Sequence, residues 1–263
     1  MKICCLVKEV PDAAVQKRID PDTKRLDRSG EKNLNPFDTH ALEAAMQIRE
    51  GGKIDVDEIV AVTMGPASAV RALHKAVALG ADRSVHLTDE ALEDSDVCAT
   101  GYALAKVLEG EGPDLVLLGQ QSDDGECYTI GAVVADHLKM PSLTQVINVE
   151  VGDGSLTCER QAEYGYDTVE VSWPAVISVG DAINEPRYPS LKAIMGAKKK
   201  PLDTKSTSDA GIETERVGSQ GKRTEVLAIN PPPEKEPGEI IEDEDTNETV
   251  ERVVAWLEER KLV

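Results

Sequence analysis

Aromatic side chains are scarce in this sequence: one Phe, two Trp and five Tyr, 3% of 263 residues. A core of that length must therefore rest on Val, Leu, Ile and Ala. No run approaches the ~20 consecutive apolar residues that cross a bilayer as a helix, so membrane insertion is not expected. Cysteine gives little either. Cys4, Cys5, Cys98, Cys127 and Cys158 are odd in number and never spaced CxxC, which fits neither a disulfide framework nor a zinc site. They read as reduced thiols. His40, His74, His86 and His137 stand singly, with no pair at helical spacing, so no metal site is assigned. The sequence also lacks GxGxxG, GxxxxGK[ST], a Ser-centred elbow and paired carboxylates in an apolar setting. That excludes the ordinary dinucleotide fingerprint, the P-loop and the familiar hydrolase constellations. No catalytic residue is assigned, and the role expected is binding, carrying or docking.

Positive charge is the last shortage. Twenty-nine Lys and Arg face 49 Asp and Glu, a formal net charge of −20. Nucleic acid and anionic membranes are repelled by such a surface. Excess acid keeps a protein soluble where salt screens repulsion, so a high-salt cytoplasm is one expectation. The run Met1-Lys2-Ile3-Cys4-Cys5-Leu6-Val7 meets charge at Lys8 and Glu9 and reads as a first buried strand rather than a signal peptide. A cytoplasmic location follows.

What is present is alternation. Apolar runs at 2–7, 58–63, 84–87 and 115–118 are near-continuous, as strands covered on both faces are. Between them, amphipathic segments at 38–50, 68–79, 100–108 and 128–138 carry apolar residues at helical spacing. Gly80 follows the second as a stop. The pattern predicts βα units around a parallel sheet. After Pro141, residues 146–151, 155–160 and 168–171 alternate apolar with polar, with a turn at Asp153-Gly154. They are expected as antiparallel strands, and 174–179 returns to the buried centre. The fold class predicted is α/β: a Rossmann-like three-layer sandwich with a mainly parallel sheet, an antiparallel extension and a C-terminal arm.

The sequence stops reading as core at Asn184. Pro186, Pro189, Lys198-Lys199-Lys200 and Pro201 mark an exposed connector, 202–225 is polar and turn-rich, and Pro231-Pro232-Pro233 is stiff. Residues 245–262 form an amphipathic helix, with Asp245 and Glu248 as a capping box and acids at 242–245 favouring its positive end. That helix needs something to pack on, its own domain or a partner subunit. The organisation expected is an α/β nucleotide-binding domain at 1–183, a connector at 184–201 and an arm with its helix at 202–263.

The stretch Leu118-Gly119-Gln120-Gln121-Ser122-Asp123-Asp124-Gly125-Glu126-Cys127-Tyr128-Thr129-Ile130 ends a buried strand, crosses a polar loop and opens a helix near Cys127 or Tyr128. Such a helix start is a natural phosphate cradle, and ligands of open α/β sheets bind beyond the carboxyl ends of the strands. An ordinary tight turn is the other reading, because Asp123, Asp124 and Glu126 oppose a phosphate unless they point away. Two further loops, Lys8-Glu9-Val10-Pro11-Asp12 and Thr63-Met64-Gly65-Pro66-Ala67-Ser68, converge on the same sheet edge. Asn35-Pro36-Phe37-Asp38 opens a helix with Asn35 as its capping residue.

The run Asn184-Glu185-Pro186-Arg187-Tyr188-Pro189-Ser190-Leu191-Lys192-Ala193-Ile194-Met195-Gly196-Ala197-Lys198-Lys199-Lys200-Pro201 closely resembles the recognition loop of electron transfer flavoprotein beta subunits. Asn35-Pro36-Phe37, Met64-Gly65-Pro66, Gly80-Ala81-Asp82 and Asp114-Leu115-Val116-Leu117-Leu118-Gly119 match that family in the same order. The resemblance covers residues 1–201 and extends less specifically into the tail.

It implies a heterodimer with an alpha subunit on which the arm and helix at 202–263 pack, an FAD held mostly by that subunit near the beta surface, and electrons carried from acyl-CoA or other dehydrogenases towards a quinone oxidoreductase. It also implies a second nucleotide in the beta subunit, AMP in ordinary members or a second FAD in bifurcating ones. That pocket would use Leu6, Asn35, Pro36, Phe37, Asp38, Met64, Gly119, Gln120, Gln121, Ser122, Asp123, Asp124, Gly125, Glu126, Cys127, Tyr128, Thr129 and Ile130. Leu191, with Ile194 and Met195, would anchor the partner dehydrogenase. The segment 89–108 leans to FAD-holding members, whereas Cys127-Tyr128-Thr129-Ile130 departs from their usual Thr-Ala-Gln-Val. The rival from another class is a stand-alone adenine-nucleotide-binding regulatory module.

Overall fold

Successive side chains along a strand point to opposite faces of its sheet, so a continuous apolar run needs cover on both sides. The computed structural model, which describes residues 1–230, 233, 238, 240 and 245–263, supplies that cover. In chain order its first elements are β1 (Lys2–Leu6), β2 (Glu9–Pro11), β3 (Ile19–Asp20), β4 (Arg25–Leu26), β5 (Lys32–Leu34), α1 (Pro36–Glu50) and β6 (Glu58–Met64). Then come α2 (Val70–Leu79), β7 (Arg83–Leu87), α3 (Val97–Glu111), β8 (Leu115–Gly119) and α4 (Ile130–Leu138). Next are β9 (Ser142–Val151), β10 (Ser155–Ala162), β11 (Gly165–Ser172) and β12 (Ala175–Val179). The last are α5 (Leu191–Ala197), β13 (Leu202–Lys205), α6 (Gly218–Gly221) and α7 (Thr246–Glu259).

One nine-stranded sheet runs in the order β11-β10-β9-β12-β8-β1-β6-β7-β13. Its members from β9 to β13 across the centre pair in parallel, and β9, β10 and β11 pair antiparallel. Ile3, Cys5, Ile59, Ala61, Leu115 and Leu117 face α1 and α2, packing on Ala41, Leu42, Ala72 and Leu73. The alternate residues Cys4, Leu6, Val60, Val62, Val116 and Leu118 face α3 and α4, packing on Tyr102, Leu104, Leu108 and Val134. The result is the three-layer α/β sandwich expected, with an antiparallel extension. From β1 the chain builds outward through β6 and β7, then returns to place β8 on the other side of β1. The carboxyl ends of β1 and β8 thus form a topological switch point, where open α/β sheets leave a crevice.

Several element bounds differ from the expectation. The fourth helix begins at Ile130, because Glu126 and Tyr128 take positive φ (46° and 55°) and left-handed residues cannot sit in a right-handed helix. Residues 202–225 do not stay outside the core. β13 adds a parallel strand beside β7, pairing Leu202 with Ser84 and Lys205 with Leu87, and Ile212 and Val217 are buried among the α3-side residues. Its polar sequence hid it, since an edge strand needs no continuous apolar run. The paired short strands β2–β5 and β3–β4 were not foreseen.

By contacts the chain divides into Met1–Leu227 and Ala228–Val263. In the second unit, Asp245 caps α7 by accepting from Asn247 N–H at 2.8 Å, and Val250, Val253 and Val254 on that helix are exposed. Pro231, Pro232 and the acids Glu242, Asp243 and Glu244 lie outside the described residues.

Candidate functional site

A cavity of about 840 Å³ opens at the switch point. Its apolar wall comes from strand ends and the facing helices: Leu6, Val62, Met64, Leu104, Leu118 and Ile130. Its polar wall begins with α1. Asn35 is the residue before that helix and is 1% exposed, yet its side chain makes no cap. It reaches across instead, donating to Gln121 C=O at 2.8 Å and accepting from Asp123 N–H at 3.0 Å. The capping role expected of Asn35 is thus corrected: it pins the loop after β8. A short amide that bonds backbone at both ends fixes a loop better than it stabilises a helix whose N1 position is already proline.

Asp38, in the first turn of α1, accepts from Lys8 N–H at 2.8 Å and Gly119 N–H at 3.2 Å. It therefore ties the ends of β1 and β8 to one carboxylate. Burial pushes its carboxyl up to about 7, against the hydrogen bonds from Asn35, Lys8 and Gly119. Gly119 is required here by space. A Cβ on it would lie 2.6 Å from the Phe37 carbonyl carbon and 2.7 Å from Asp38 Oδ1, and backbone at that distance cannot yield.

Two of the loop acids, Asp124 and Asp123, do not oppose a ligand in the manner the sequence suggested, because both are paired within the chain. Lys8 Nζ contacts Asp124 Oδ1 at 2.7 Å, and Arg28 donates from Nε (3.0 Å) and an Nη (2.6 Å) to Oδ2. Asp124 has no side-chain exposure. Burial alone would raise its carboxyl, but the Lys8 ammonium and the bonds from Lys8, Arg28 and Ser122 outweigh that and hold it at about 2. Lys17 pairs with Asp123 at 2.8 Å. The short β3–β4 hairpin bears the further cations Lys24 and Arg25. Lys24 donates to Leu227 C=O at 2.8 Å and Arg25 pairs with Asp94, which also binds Lys222 Nζ at 2.5 Å. Asp96 caps α3 by accepting from Ala99 N–H (2.9 Å) and also receives Arg223 N–H (2.7 Å) and Thr224 N–H (2.9 Å). The cavity is therefore bounded by strand ends, by the 22–28 hairpin, by 94–104 and by 222–226.

Of the residues expected from the sequence, the cavity gathers Leu6, Asn35, Asp38, Met64, Gly119, Gln121, Ser122, Asp124, Gly125, Cys127, Tyr128 and Ile130. Pro36, Phe37, Gln120, Asp123, Glu126 and Thr129 lie beside it and do not line it. Of the two other loops, Lys8 and Met64 contribute, while Ser68 turns away to bond Glu9 at 2.6 Å. Sequence reasoning missed Arg28, Lys24, Lys222 and Thr224. The one available signal was the cation spacing Lys17, Lys24, Arg25, Arg28 in an otherwise acidic chain.

Two features suit a nucleotide. Gln121 Oε1 is buried without a hydrogen-bond partner on a residue that lines the cavity, and such an atom calls for a donor. The nine-residue helix α4 starts at Ile130, and Thr129 before it makes no side-chain cap, so its first N–H groups remain for an acceptor. An adenine or flavin ring fits the apolar wall, and a phosphate fits the free N–H groups at the start of α4. Leu191, Ile194 and Met195 are not in the cavity. They lie on α5, exposed at 79%, 48% and 77%.

The chain matches the electron transfer flavoprotein domain over residues 23–210. It is 38% identical to electron transfer flavoprotein subunit beta of Mycobacterium tuberculosis (strain ATCC 25618 / H37Rv) over 265 residues, covering 99% of each chain. Identity to the subunit of the same name from Thermoanaerobacterium thermosaccharolyticum is 38%, with both chains fully covered. Identity to the caffeyl-CoA reductase-Etf complex subunit CarD of Acetobacterium woodii is 35%, again over the whole of both. A match of this extent displaces the stand-alone regulatory module as an account of the chain. This protein belongs to the beta-subunit family of electron transfer flavoproteins, carriers in electron transport.

Proposed function

We propose that this chain pairs with a flavin-bearing alpha subunit and binds an adenine nucleotide, AMP or a second FAD, in the cavity at the β1/β8 switch point. The shared FAD, when bound, supplies the redox chemistry. The residues of this chain bind and orient: Asn35 and Asp38 hold the loop 119–125 in shape, Lys8 and Arg28 supply positive charge, and the start of α4 offers backbone N–H groups. Electrons would pass from acyl-CoA or other dehydrogenases to a quinone-linked acceptor, with α5 as the docking helix. The whole-length similarity to a subunit named for a caffeyl-CoA reductase complex supports a partner of the dehydrogenase or reductase type.

The observation that carries the nucleotide reading is the pairing of an apolar wall with an uncapped helix start in one cavity. The second FAD is favoured over AMP by extent. At about 840 Å³ the cavity stands towards the upper end of the roughly 300–1,000 Å³ typical of ligand sites, and it continues past α3 to residues 222–226. Co-expression with the alpha subunit and quantitation of FAD and AMP per heterodimer tests this. Two FAD support the larger ligand, one FAD with one AMP supports the smaller, and a chain that purifies alone without nucleotide overturns the proposal.

A further inference from the structure

The docking helix lies against α2 but offers it little buried surface. α5 has seven residues, too few for an isolated helix to persist in water, and among them Ala197 alone is buried. The segment leading into it contains Pro186 and Pro189, which carry no N–H, so a backbone ladder is not available there. The segment is bolted by side chains to α1 instead. Asn184 donates from Nδ2 to His40 C=O at 3.0 Å, and His40 Nδ1 lies 3.0 Å from Asn184 C=O. Three residues on, Arg187 spans two acids of α1. Its Nε and an Nη meet Glu43 at 2.7 and 3.0 Å, and its two Nη atoms meet Glu50 at 2.7 and 2.9 Å. Arg187 N–H adds a bond to Glu43 Oε2 at 3.2 Å.

Glu43 and Glu50 are seven residues apart, on one face of α1, and differ in setting. Glu43 is 7% exposed and Glu50 is open to solvent. A planar five-donor fork satisfies both carboxylates at once, which a lysine cannot do. From Arg187 it is four residues to Leu191, the first residue of α5.

We infer that Arg187 is a positioning residue for partner docking: its fork on Glu43 and Glu50 fixes the pose in which α5 presents Leu191, Ile194 and Met195. The inference rests on the docking reading of α5 given above. The apolar side chains make the contact, and Arg187 acts by holding them where the partner's pocket meets them.

The test uses the heterodimer, with an acyl-CoA dehydrogenase that reduces the wild-type complex as the probe. Steady-state flavin reduction is compared for wild type, Leu191→Ala, Arg187→Gln, Arg187→Lys and Glu50→Gln, alongside amide hydrogen exchange over residues 190–197. Arg187→Gln is expected to raise KM for the dehydrogenase about tenfold with kcat at saturation unchanged, and to speed exchange over α5. Arg187→Lys recovers part of that loss. Glu50→Gln, at an exposed position that leaves the core untouched, shifts KM the same way by a smaller factor should Arg187→Gln fail to fold. If Leu191→Ala raises KM while the Arg187 and Glu50 variants leave KM and exchange unchanged, the positioning role is wrong and the docking reading stands. If Leu191→Ala itself leaves KM unchanged, the docking reading falls and this inference falls with it.

Discussion

Asp124 and Asp38 line the same cavity and titrate in opposite senses. The Asp124 carboxyl is held at about 2, below its ordinary 3.8. Its contribution is therefore fully present above pH 3.8 and is lost as pH falls through about 2. That difference corresponds to roughly 2 kcal/mol. Asp124→Asn is expected to cost about that much in urea melts at pH 7 and to remove the matching share of acid sensitivity. Equal stability of the two proteins at pH 7 would show that Lys8 and Arg28 gain nothing from the pairing. Asp38 runs the other way. With its carboxyl raised to about 7, the folded chain holds a proton that the unfolded chain gives up from about pH 4. Stability is thus expected to fall between pH 4 and pH 7. Carbon-13 shifts of the Asp38 carboxyl should titrate near 7, and Asp38→Asn should flatten that slope. It should also cost roughly 1–3 kcal/mol, because the Lys8 and Gly119 N–H groups meet different carboxylate oxygens and the amide turns one of them into a donor. A midpoint near 4 would mean that water reaches the carboxyl.

Helix α3 shows how an element can need a residue that its own propensity disfavours. Gly101 lies inside it, where alanine is better by about 1 kcal/mol. A Cβ there would sit 2.4 Å from Val133 Cγ1 and 2.9 Å from Val133 Cβ on α4. Overpacking of that kind costs about 1–3 kcal/mol, and a β-branched valine in a helix has no spare rotamer to escape into. Gly101→Ala is expected to lower stability by about 1 kcal/mol net. Gly101→Ala combined with Val133→Ala should regain most of it. A single variant more stable than wild type would mean that α3 and α4 slide apart freely.

Periodicity showed where the elements are and not how they end. β1, β6 and β8 were legible because both faces are buried, whereas the start of α4 depends on backbone angles at Glu126 and Tyr128 that no apolar pattern encodes. The cavity's inner wall was legible for the same reason, since Leu6, Met64 and Gly119 sit at the ends of readable strands. Its outer wall, made by Lys24, Arg28, Lys222 and Thr224, comes from polar segments far apart in sequence. Ion pairs across such distances leave no mark on spacing.

On the scale of the whole molecule, the net charge of −20 works against compaction wherever solvent does not screen it. Thermal midpoints are expected to rise as potassium chloride is added to dilute buffer, because like-charge repulsion spread over the surface is screened at a Debye length of about 10 Å at 0.1 M. A midpoint that falls with salt would show that clusters such as Lys8–Asp124–Arg28 and Arg83 with Glu58 and Glu111 outweigh the surface term. The sheet order has a separate consequence for synthesis. β12 lies between β8 and β9, so β9, β10 and β11 leave the ribosome before the strand that joins them to the centre. β7 waits longer still for β13, which closes its outer edge only after more than a hundred further residues. At about 5–20 residues per second, the nascent chain carries an open ladder for roughly ten seconds. A chain ended before Leu202 would keep that edge for good, ready to pair with the same edge of another copy.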